Sequence, residues 1–273
     1  LLPALALVAA SAWAPVTLAD PQATLLNLGC SQYNATPATA FLAALNFTFA
    51  GLRANLSAAG AAGGFATAAE PRAAAPAFAM AQCRPYVAGR DCVACFDAAA
   101  ARLRAACGAA NGARAILDGC VLRYESAAFF DQSTLPGNTQ LCNGSAVDAG
   151  DFADTARALV ADLAAAVPRA PGLAAAAARG GVYAAAQCVE TVGEGSCAQC
   201  LTVAVGNIDG CPPNSDGRAV DAGCFMRYSD RAFFPANATV DLAVYLRSGE
   251  STSTYIMFAC FCSGCEQRLP CCG

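Results

Sequence analysis

Apolar positions recur with a helical period in the early part of the chain. Leu45, Phe49, Leu52 and Leu56 follow one another at steps of three and four residues. This spacing places them on one face of an amphipathic helix, which we predict from about residue 36 to about residue 58. A helix with one apolar face needs an apolar partner, and we expect it to cover a sheet.

A second helix and then strand-like sequence follow. Asp91 is a candidate N-cap for this helix, and beyond Gly112 the apolar positions alternate with a period of two, which is typical of a strand. The helix carries its apolar positions at Val93, Phe96, Ala100, Leu103 and Cys107. The alternating stretch presents one face with Ile116, Asp118, Cys120, Leu122 and Tyr124. Helices packed on one face of an antiparallel sheet make an α+β domain.

The same plan returns in the second half of the chain. Its first helix is marked by Phe152, Leu159 and Leu163. Ser196 is a candidate cap for the second helix, which carries Leu201 and Ile208, and strand-like sequence covers residues 218–227. The connection at residues 126–140 is short, so we expect the two domains to pack against each other.

The cysteines show that the two halves are copies of each other. A C-x8-C-x2-C motif occurs at Cys83, Cys92 and Cys95 and again at Cys188, Cys197 and Cys200, followed by Cys107 and Cys120 in the first copy and by Cys211 and Cys224 in the second. The flanking sequences repeat as well, with CVLRY at residues 120–124 and CFMRY at residues 224–228. Cys30 and Cys142 bring each copy to six cysteines, which allows three disulfides in any of fifteen connectivities.

Seventeen cysteines in 273 residues point to an oxidising compartment, because cytosolic thiols are kept reduced. Residues 1–19 agree with this, since they resemble a partial signal peptide with a small-residue cleavage site. Five sequons predict N-glycosylation at Asn34, Asn46, Asn55, Asn143 and Asn237. The C-x2-C pairs also have the spacing of zinc ligands. The secretory context favours structural disulfides, and we expect no metal.

Charge and missing residue types narrow the function further. The net charge of -4 has the wrong sign for a nucleic acid partner. The chain has no histidine, and its sixteen basic residues are all arginine. These absences exclude histidine-based nucleophile pairs, phosphate-binding lysines and Schiff-base lysines. A hydrophobic fraction of 56% excludes intrinsic disorder. We expect a folded, non-catalytic protein without a cofactor.

The cysteine spacing and its tandem repetition resemble the plant cysteine-rich secretory repeat. This family includes the ginkbilobin-type antifungal seed protein, plasmodesmata-located proteins and the ectodomains of cysteine-rich receptor-like kinases. The sequences TLLNLGC at residues 24–30 and FFDQSTLPG at residues 129–137 are most similar to the kinase ectodomains. The resemblance implies two helices packed on a five-stranded antiparallel sheet in each copy. It divides the chain into domains at 24–131 and 138–236 and a linker with a cysteine-rich tail at 237–273.

The resemblance also implies how the cysteines pair. The expected bridges are Cys30–Cys107, Cys83–Cys92 and Cys95–Cys120 in the first copy and Cys142–Cys211, Cys188–Cys197 and Cys200–Cys224 in the second. Five further cysteines lie in the tail, at Cys260, Cys262, Cys265, Cys271 and Cys272. They could pair with one another, link two chains or bind a metal. We interpret this region as a truncated or alternatively read tail with no dedicated role.

A sugar site is a further implication of the resemblance. The antifungal relative binds mannose through an Asn, an Arg and a Glu at fixed distances from its cysteines. The matching positions are Ser31, Arg114 and Glu125 in the first copy and Asn143, Arg218 and Ser229 in the second. Amide, guanidinium and carboxylate groups suit sugar hydroxyls, but each copy departs from the set at one position. The alternative is that Arg114 and Glu125 form an ion pair or polar strand contacts.

We therefore expect an extracellular binding module, similar to the ectodomain of a cysteine-rich receptor-like kinase. We expect its ligand to be an apoplastic molecule, such as a glycan, or a partner ectodomain in stress or defence signalling. A mannose-binding antifungal lectin is the alternative, and redox sensing through disulfides is a third hypothesis. Full-length relatives carry a Ser/Thr kinase domain whose motifs do not occur in this chain. The late apolar run at residues 255–262 is shorter than the roughly 20 residues that span a bilayer. We expect secretion, or the plasma membrane for a receptor with a transmembrane helix.

Overall fold

Two similar copies of one α+β arrangement make up the fold. The computed structural model describes residues 22–58, 64–87, 89–148 and 150–247. The signal peptide predicted at residues 1–19 and the tail cysteines lie outside these ranges.

Within the described residues, each copy contains five strands and two long helices. The first copy consists of β1 (Leu25–Cys30), α1 (Ala38–Ala58), β2 (Phe65–Glu70), β3 (Ala77–Cys83), α2 (Gly89–Cys107), β4 (Gly112–Leu117) and β5 (Cys120–Glu125). The second copy consists of β6 (Thr139–Ala146), α3 (Phe152–Ala166), β7 (Ala174–Arg179), β8 (Val182–Cys188), α4 (Glu194–Ile208), β9 (Asn214–Val220) and β10 (Cys224–Ser229). A short helix, α5 (Ala243–Arg247), follows the second copy.

Both sheets are antiparallel and have the same strand order. The first runs β1-β4-β5-β3-β2 and the second β6-β9-β10-β8-β7. In each copy the two long helices pack on one face of the sheet. The other side, which we call the helix-free face, carries side chains such as Met80 in the first copy and Phe225 in the second. The predicted fold class, two α+β domains each with two helices on a five-stranded antiparallel sheet, is confirmed.

The helices begin at positions that differ slightly from those predicted. Helix α1 begins at Ala38, two residues later than expected. Helix α2 begins two residues before Asp91, so this residue is not the N-cap but lies in the first turn. Its carboxylate there still complements the positive end of the helix dipole. Ser196 also lies inside a first turn, because Gly193 is the N-cap of α4.

The alternating stretch of the first copy is a hairpin rather than one continuous face. Strands β4 and β5 are connected by Asp118 and Gly119. Leu122 and Tyr124 face the helices, as predicted, but Ile116 belongs to the core on the opposite side. A turn restarts the alternation of side chains, so a period-two pattern that crosses it assigns one strand to the wrong face. The strand-like sequence of the second copy is likewise the hairpin of β9 and β10.

A buried tyrosine fills the helix side of each sheet. Tyr124 packs against the rings of Phe41 and Phe49, with centroids 6.0 and 5.9 Å away. Tyr228 packs against Phe152 at 6.2 Å in the second copy. Burial, reinforced by the nearby charge of Glu125, raises the pKa of Tyr124 to about 12. Burial also raises the pKa of Tyr228 far above its usual range.

Among the described residues, six disulfides connect the long helices, or in one case the loop after α4, to the sheets. The bonded pairs are Cys30–Cys107, Cys83–Cys92, Cys95–Cys120, Cys142–Cys211, Cys188–Cys197 and Cys200–Cys224. These are the pairs that the family resemblance implies. The widest bridges enclose sequence separations of 77 and 69 residues. In the chain-entropy model such loops each stabilise the fold by about 4 kcal/mol.

Gly217 tests how tightly the second core is packed. A Cβ atom at this position would lie 2.4 Å from Tyr228 Cε1 and 3.1 Å from Cys211 Cβ. We expect Gly217→Ala to lower the free energy of unfolding by about 2 kcal/mol, measured by urea denaturation, because neither neighbour can move freely. Gly206→Ala is the control, since nothing lies within 4 Å of a Cβ in that exposed turn of α4. Its helical position predicts a gain of up to about 1 kcal/mol, and equal losses in both variants would contradict the packing.

Candidate functional site

The helix-free faces of the two sheets pack against each other and form the joint between the copies. One continuous apolar cluster includes Met80, Ile116 and Val121 from the first copy with Val220 and Phe225 from the second. Strand residues that would face solvent in a single copy are therefore buried in the tandem pair. Polar side chains in the same layer must find partners across the joint.

Two glutamines at equivalent positions exchange hydrogen bonds across the joint. Gln82 donates from Nε2 to the carbonyl of Cys188 at 3.3 Å and accepts on Oε1 from the amide of Glu190 at 3.0 Å. Gln187 donates from Nε2 to the carbonyl of Cys83 at 3.0 Å. Each buried side-chain amide thus donates to the backbone of the other copy.

Arg84 brings a buried positive charge into the joint. Its Nη1 donates to Gln187 Oε1 at 3.0 Å, while Nε and Nη2 donate to the carbonyls of Asp118 and Leu117, each at 3.2 Å. The guanidinium carbon lies 3.8 Å from the ring centroid of Phe225. Burial lowers the pKa of Arg84 to about 10, so the group remains charged at neutral pH. Its charge is stabilised by an amide, two carbonyls and an aromatic face.

A buried ion pair also joins the copies. Arg218 donates from Nε and Nη2 to the two carboxylate oxygens of Asp118, at 2.6 and 3.1 Å, and its Nη1 donates to Asp216. Arg227 donates to the other oxygen of Asp216 at 2.8 Å. Burial by itself lowers the pKa of Arg218, but hydrogen bonding to Asp118 and its charge raise the pKa overall. Arg218, a predicted sugar contact, is 8% exposed and forms part of this joint.

Each copy repeats an arginine–phenylalanine contact beyond its last strand. Arg123 lies 4.3 Å from the ring centroid of Phe129, and Arg227 lies 4.2 Å from that of Phe233. The ring of Phe233 also packs edge-on against Tyr86 of the first copy at 5.7 Å. Burial raises the pKa of Tyr86 to about 12. The aromatic segment after β10 therefore covers one edge of the joint.

The three sugar-site residues predicted in the first copy line one cleft. Ser31, Arg114 and Glu125 border a cavity of about 230 Å³. The sheet brings them together because β4 pairs with both β1 and β5, which places Gly112 directly opposite Glu125. The amide of Ser31 donates to the carbonyl of Gly112 at 2.8 Å. Leu135, from the segment between the copies, also borders the cavity.

Glu125 is held in this cleft by a neighbouring arginine. Arg123 donates to Glu125 Oε1 from Nε and Nη2, at 3.0 and 2.9 Å, and also to Gln132 Oε1 at 2.6 Å. The other oxygen, Oε2, has no hydrogen-bond partner within the described part of the chain and lies over Gly112, where a Cβ would be only 1.8 Å away. The glycine leaves room for a carboxylate oxygen that can still accept hydrogen bonds.

Arg114 faces the same cleft but binds the backbone between the copies. Its Nε donates to Asn27 Oδ1 at 3.0 Å, and its Nη2 donates to the carbonyls of Pro136 and Gly137 at 3.0 and 2.9 Å. Burial lowers the pKa of Arg114. The alternative to a sugar site is an Arg114–Glu125 ion pair or polar strand contacts. Glu125 pairs with Arg123 and Arg114 binds Asn27 on the neighbouring strand, so the structure shows polar strand contacts for both residues and no ion pair between them.

The residues predicted in the second copy are arranged differently. Asn143 lies opposite Asp216, which in turn lies opposite Ser229, in one row across β6, β9 and β10. Ser229 is buried, and its hydroxyl accepts a hydrogen bond from the amide of Arg231 at 3.2 Å. Asp216 and Ser229 border a larger cavity of about 620 Å³, whose lining does not include Asn143. Arg218 points instead into the joint described above.

A carboxylate has changed strands between the copies. Asp216 occupies the position equivalent to Gly112, and Ser229 the position equivalent to Glu125. In both copies the carboxylate pairs with the arginine of the shared RY dipeptide, which is Arg123 or Arg227. Our sequence reasoning missed both arginines and Asp216. Aligning the strands of the two copies position by position would have revealed the exchange.

The remaining predicted features lie at the surface or in disulfides. The five sequon asparagines are all exposed. The C-x2-C cysteines considered as zinc ligands are all in disulfides. Over residues 22–247, apart from the short undescribed gaps, no helix is long and apolar enough to cross a membrane.

The fold and its disulfide bonds define the class of protein as a disulfide-stapled tandem α+β module. The family model described as "Salt stress response/antifungal" matches residues 29–127 and again residues 141–231. The chain belongs to this family, with two tandem copies of its domain.

Similar curated proteins come from Arabidopsis thaliana. Cysteine-rich receptor-like protein kinase 42 is 32% identical over 187 residues, which are 66% of this chain and 28% of the relative. Cysteine-rich receptor-like protein kinase 2 is 33% identical over 57% of this chain and 25% of its own length. Cysteine-rich repeat secretory protein 55 is 26% identical, covering 58% of this chain and 64% of its own. The chain thus spans about a quarter of the length of the kinases that it matches.

Solved structures support the same assignment. The tandem DUF26 ectodomain of the Arabidopsis thaliana cysteine-rich receptor-like protein PDLP8 has a TM-score of 0.64 and 25% identity. The match covers 76% of this chain and 98% of that ectodomain. The corresponding ectodomain of PDLP5 has a TM-score of 0.59 at 20% identity, which shows a shared fold. The chain is therefore similar to receptor ectodomains in sequence and in three dimensions.

The ion pair between Asp118 and Arg218 tests the joint. We expect Asp118→Asn to lower the free energy of unfolding by about 3 kcal/mol in urea denaturation, because it leaves a buried guanidinium with only Asp216. Asp97→Asn is the matched control, since it removes one partner of the exposed Arg53–Asp97 pair and should cost less than about 1 kcal/mol. If both variants lower the free energy of unfolding by a similar small amount, the Asp118–Arg218 pair is not buried between the copies.

Proposed function

We propose that the chain is a non-catalytic extracellular binding module, corresponding to the ectodomain part of a cysteine-rich receptor-like kinase. It recognises an apoplastic ligand or a partner ectodomain in stress or defence signalling. Secretion through the predicted signal peptide and glycosylation at the exposed sequons belong to the same proposal. The similar kinases are about four times as long as the matched segment. Signalling itself would therefore depend on the regions of those kinases that lie outside the match.

The cleft of the first copy is the observation that carries this proposal. Glu125 Oε2 is an acceptor without a hydrogen-bond partner among the described residues, and Arg123 fixes the carboxylate by holding its other oxygen. A preformed carboxylate beside the Ser31 position offers a ligand oriented polar contacts at little cost in conformational entropy. The surrounding sheet is fixed by disulfides and by the joint, so the cleft is rigid before any ligand arrives.

Mannose binding is the second candidate, and a specific observation favours it. Ser31, Arg114 and Glu125, which match the sugar-binding positions of the antifungal relative, border one cavity of about 230 Å³. The same three positions in the second copy do not converge, because Arg218 is committed to the joint. A lectin activity would therefore belong to the first copy, and each chain would have one mannose-binding site.

Glu125→Gln tests recognition through this cleft. The glycosylated, secreted chain would be screened by surface plasmon resonance against a panel of purified apoplastic ectodomains, peptides and cell-wall glycans that includes yeast mannan. We expect at least one specific partner, bound about tenfold or more weakly by Glu125→Gln, because a charge-assisted hydrogen bond is worth about 1.5–3 kcal/mol. Glu194→Gln, in the first turn of α4, is the matched control and should bind like the wild type.

The outcomes separate the two candidates. A protein partner sensitive to Glu125→Gln, together with no response to mannan, supports the receptor module and rejects the lectin. A mannan response that Glu125→Gln removes supports the lectin. No binding to any member of the panel, or binding that Glu125→Gln leaves unchanged, contradicts the assignment of this cleft.

A further inference from the structure

The segment at residues 133–137, which we call the interdomain strap, touches both copies. On the side of the first copy, Arg114 Nη2 donates to the carbonyls of Pro136 and Gly137. Asn27 Nδ2 also donates to the carbonyl of Gly137 at 3.1 Å and to Thr139 Oγ1 at 2.7 Å. Since Asn27 in turn accepts from Arg114, these two side chains form one clasp around the end of the strap.

The second copy holds the other end of the same segment. The amide of Leu135 donates to Asp221 Oδ1 at 3.0 Å, and the amide of Ala222 donates to the same oxygen at 2.6 Å. The backbone of Ser133 lies directly over Gly223, where a Cβ would come within 2.5 Å of it. Asp221 is 3% exposed, so its side chain is fixed in the turn between β9 and β10.

The strap also forms one wall of the ligand cleft. Leu135 and Pro136 border the same cavity as Ser31, Arg114 and Glu125. Two consecutive strap residues therefore face the cavity while their backbone groups bind the two copies. Movement of the strap would change the shape of the cleft, and release of Arg114 would leave Asn27 as the side chain that holds the carbonyl of Gly137.

We propose that the cleft of the first copy is a composite binding site, in which Asp221 of the second copy acts as a positioning residue through the strap. The inference rests on the proposed function and deepens it. Arg114 belongs to the clasp and holds the strap. The direct hydrogen bonds to a hydroxyl-bearing ligand come from Glu125 and Ser31. Occupancy of the cleft and the hydrogen bond from Leu135 to Asp221 are then coupled, because both depend on one rigid segment.

Gly137→Ala tests the coupling from the side of the first copy. Gly137 has a φ of +85°, and a Cβ there would lie 3.0 Å from Arg114 Nη2. The measurement is amide hydrogen exchange by NMR on the full chain without ligand. We expect the Leu135 amide, which contacts only the second copy, to exchange about tenfold or more faster. Gly172→Ala is the control, because its φ of +64° carries the same backbone strain with nothing within 4 Å. It should leave Leu135 unchanged.

Asp221→Ala tests the coupling in the opposite direction. We expect the side-chain Nε–H of Arg114, observed by ¹⁵N NMR, to exchange about tenfold or more faster although this arginine lies in the other copy. Asp221→Asn keeps an acceptor oxygen for Leu135 and should restore slow exchange at Arg114. Faster exchange at Leu135 with unchanged exchange at Arg114 would overturn the proposal, and so would equal effects of the alanine and asparagine variants.

A ligand-binding measurement separates this inference from the proposed function. Methyl α-D-mannoside is the probe, and its dissociation constant is measured by calorimetry for the wild type and for Gly137→Ala. Binding that weakens about tenfold in Gly137→Ala, and not in Gly172→Ala, supports the composite site. Binding that is equal in both variants overturns it. If the wild type does not bind the mannoside, the lectin candidate fails, and the exchange measurements alone decide the coupling.

Discussion

Polar groups buried between the two sheets are the constraint on which the structure depends. A single copy would leave Gln82, Arg84 and Asp118 on an exposed sheet face, whereas the tandem removes them from water. Burial of a guanidinium or an amide is costly unless each donor and acceptor finds a partner. The second copy supplies these partners through the backbone of Cys188 and Glu190 for Gln82. Gln187 and Phe225 contact Arg84, and Arg218 pairs with Asp118. The same contacts that satisfy the polar groups therefore also fix the orientation of one copy relative to the other.

Duplication explains why the two copies have different roles at equivalent positions. The arginine in the middle of β4 and β9 holds the strap in one copy, as Arg114, and closes the joint in the other, as Arg218. The carboxylate has moved from Glu125 on β5 to Asp216 on β9. In the first copy this leaves an acceptor facing a cleft. In the second copy both carboxylate oxygens are engaged by arginines. Of these two carboxylates, only Glu125 therefore keeps an oxygen without a hydrogen-bond partner among the described residues.

Much of the fold could be predicted from the sequence because the spacing of cysteines and the periodicity of apolar residues depend on local structure. The apolar spacing around Phe49 predicted α1, and the repeated C-x8-C-x2-C motif predicted two copies of one domain. The hairpin at Asp118 was not found, because a period-two pattern does not show where a strand reverses. Asp91 and Ser196 suit an N-cap by residue type, and the backbone geometry decided otherwise.

The site was less predictable than the fold, for a physical reason. The positions that match the sugar contacts of the antifungal relative, Ser31, Arg114 and Glu125, lie around one cavity. The partners of those side chains come from Arg123 on β5 and from the strap, and the partner of Arg218 comes from the other copy at Asp118. Such contacts depend on how two sheets pack. No spacing within one copy contains that information.

The central claim is that the buried polar joint makes the two copies one rigid body. Residual dipolar couplings of backbone amides in a weakly aligning medium test it most directly, because each copy reports its own orientation. Couplings from residues 25–125 and from residues 139–229 should fit a single alignment tensor of one magnitude and direction. Two tensors that differ in magnitude would show independent motion of the copies and would contradict the account.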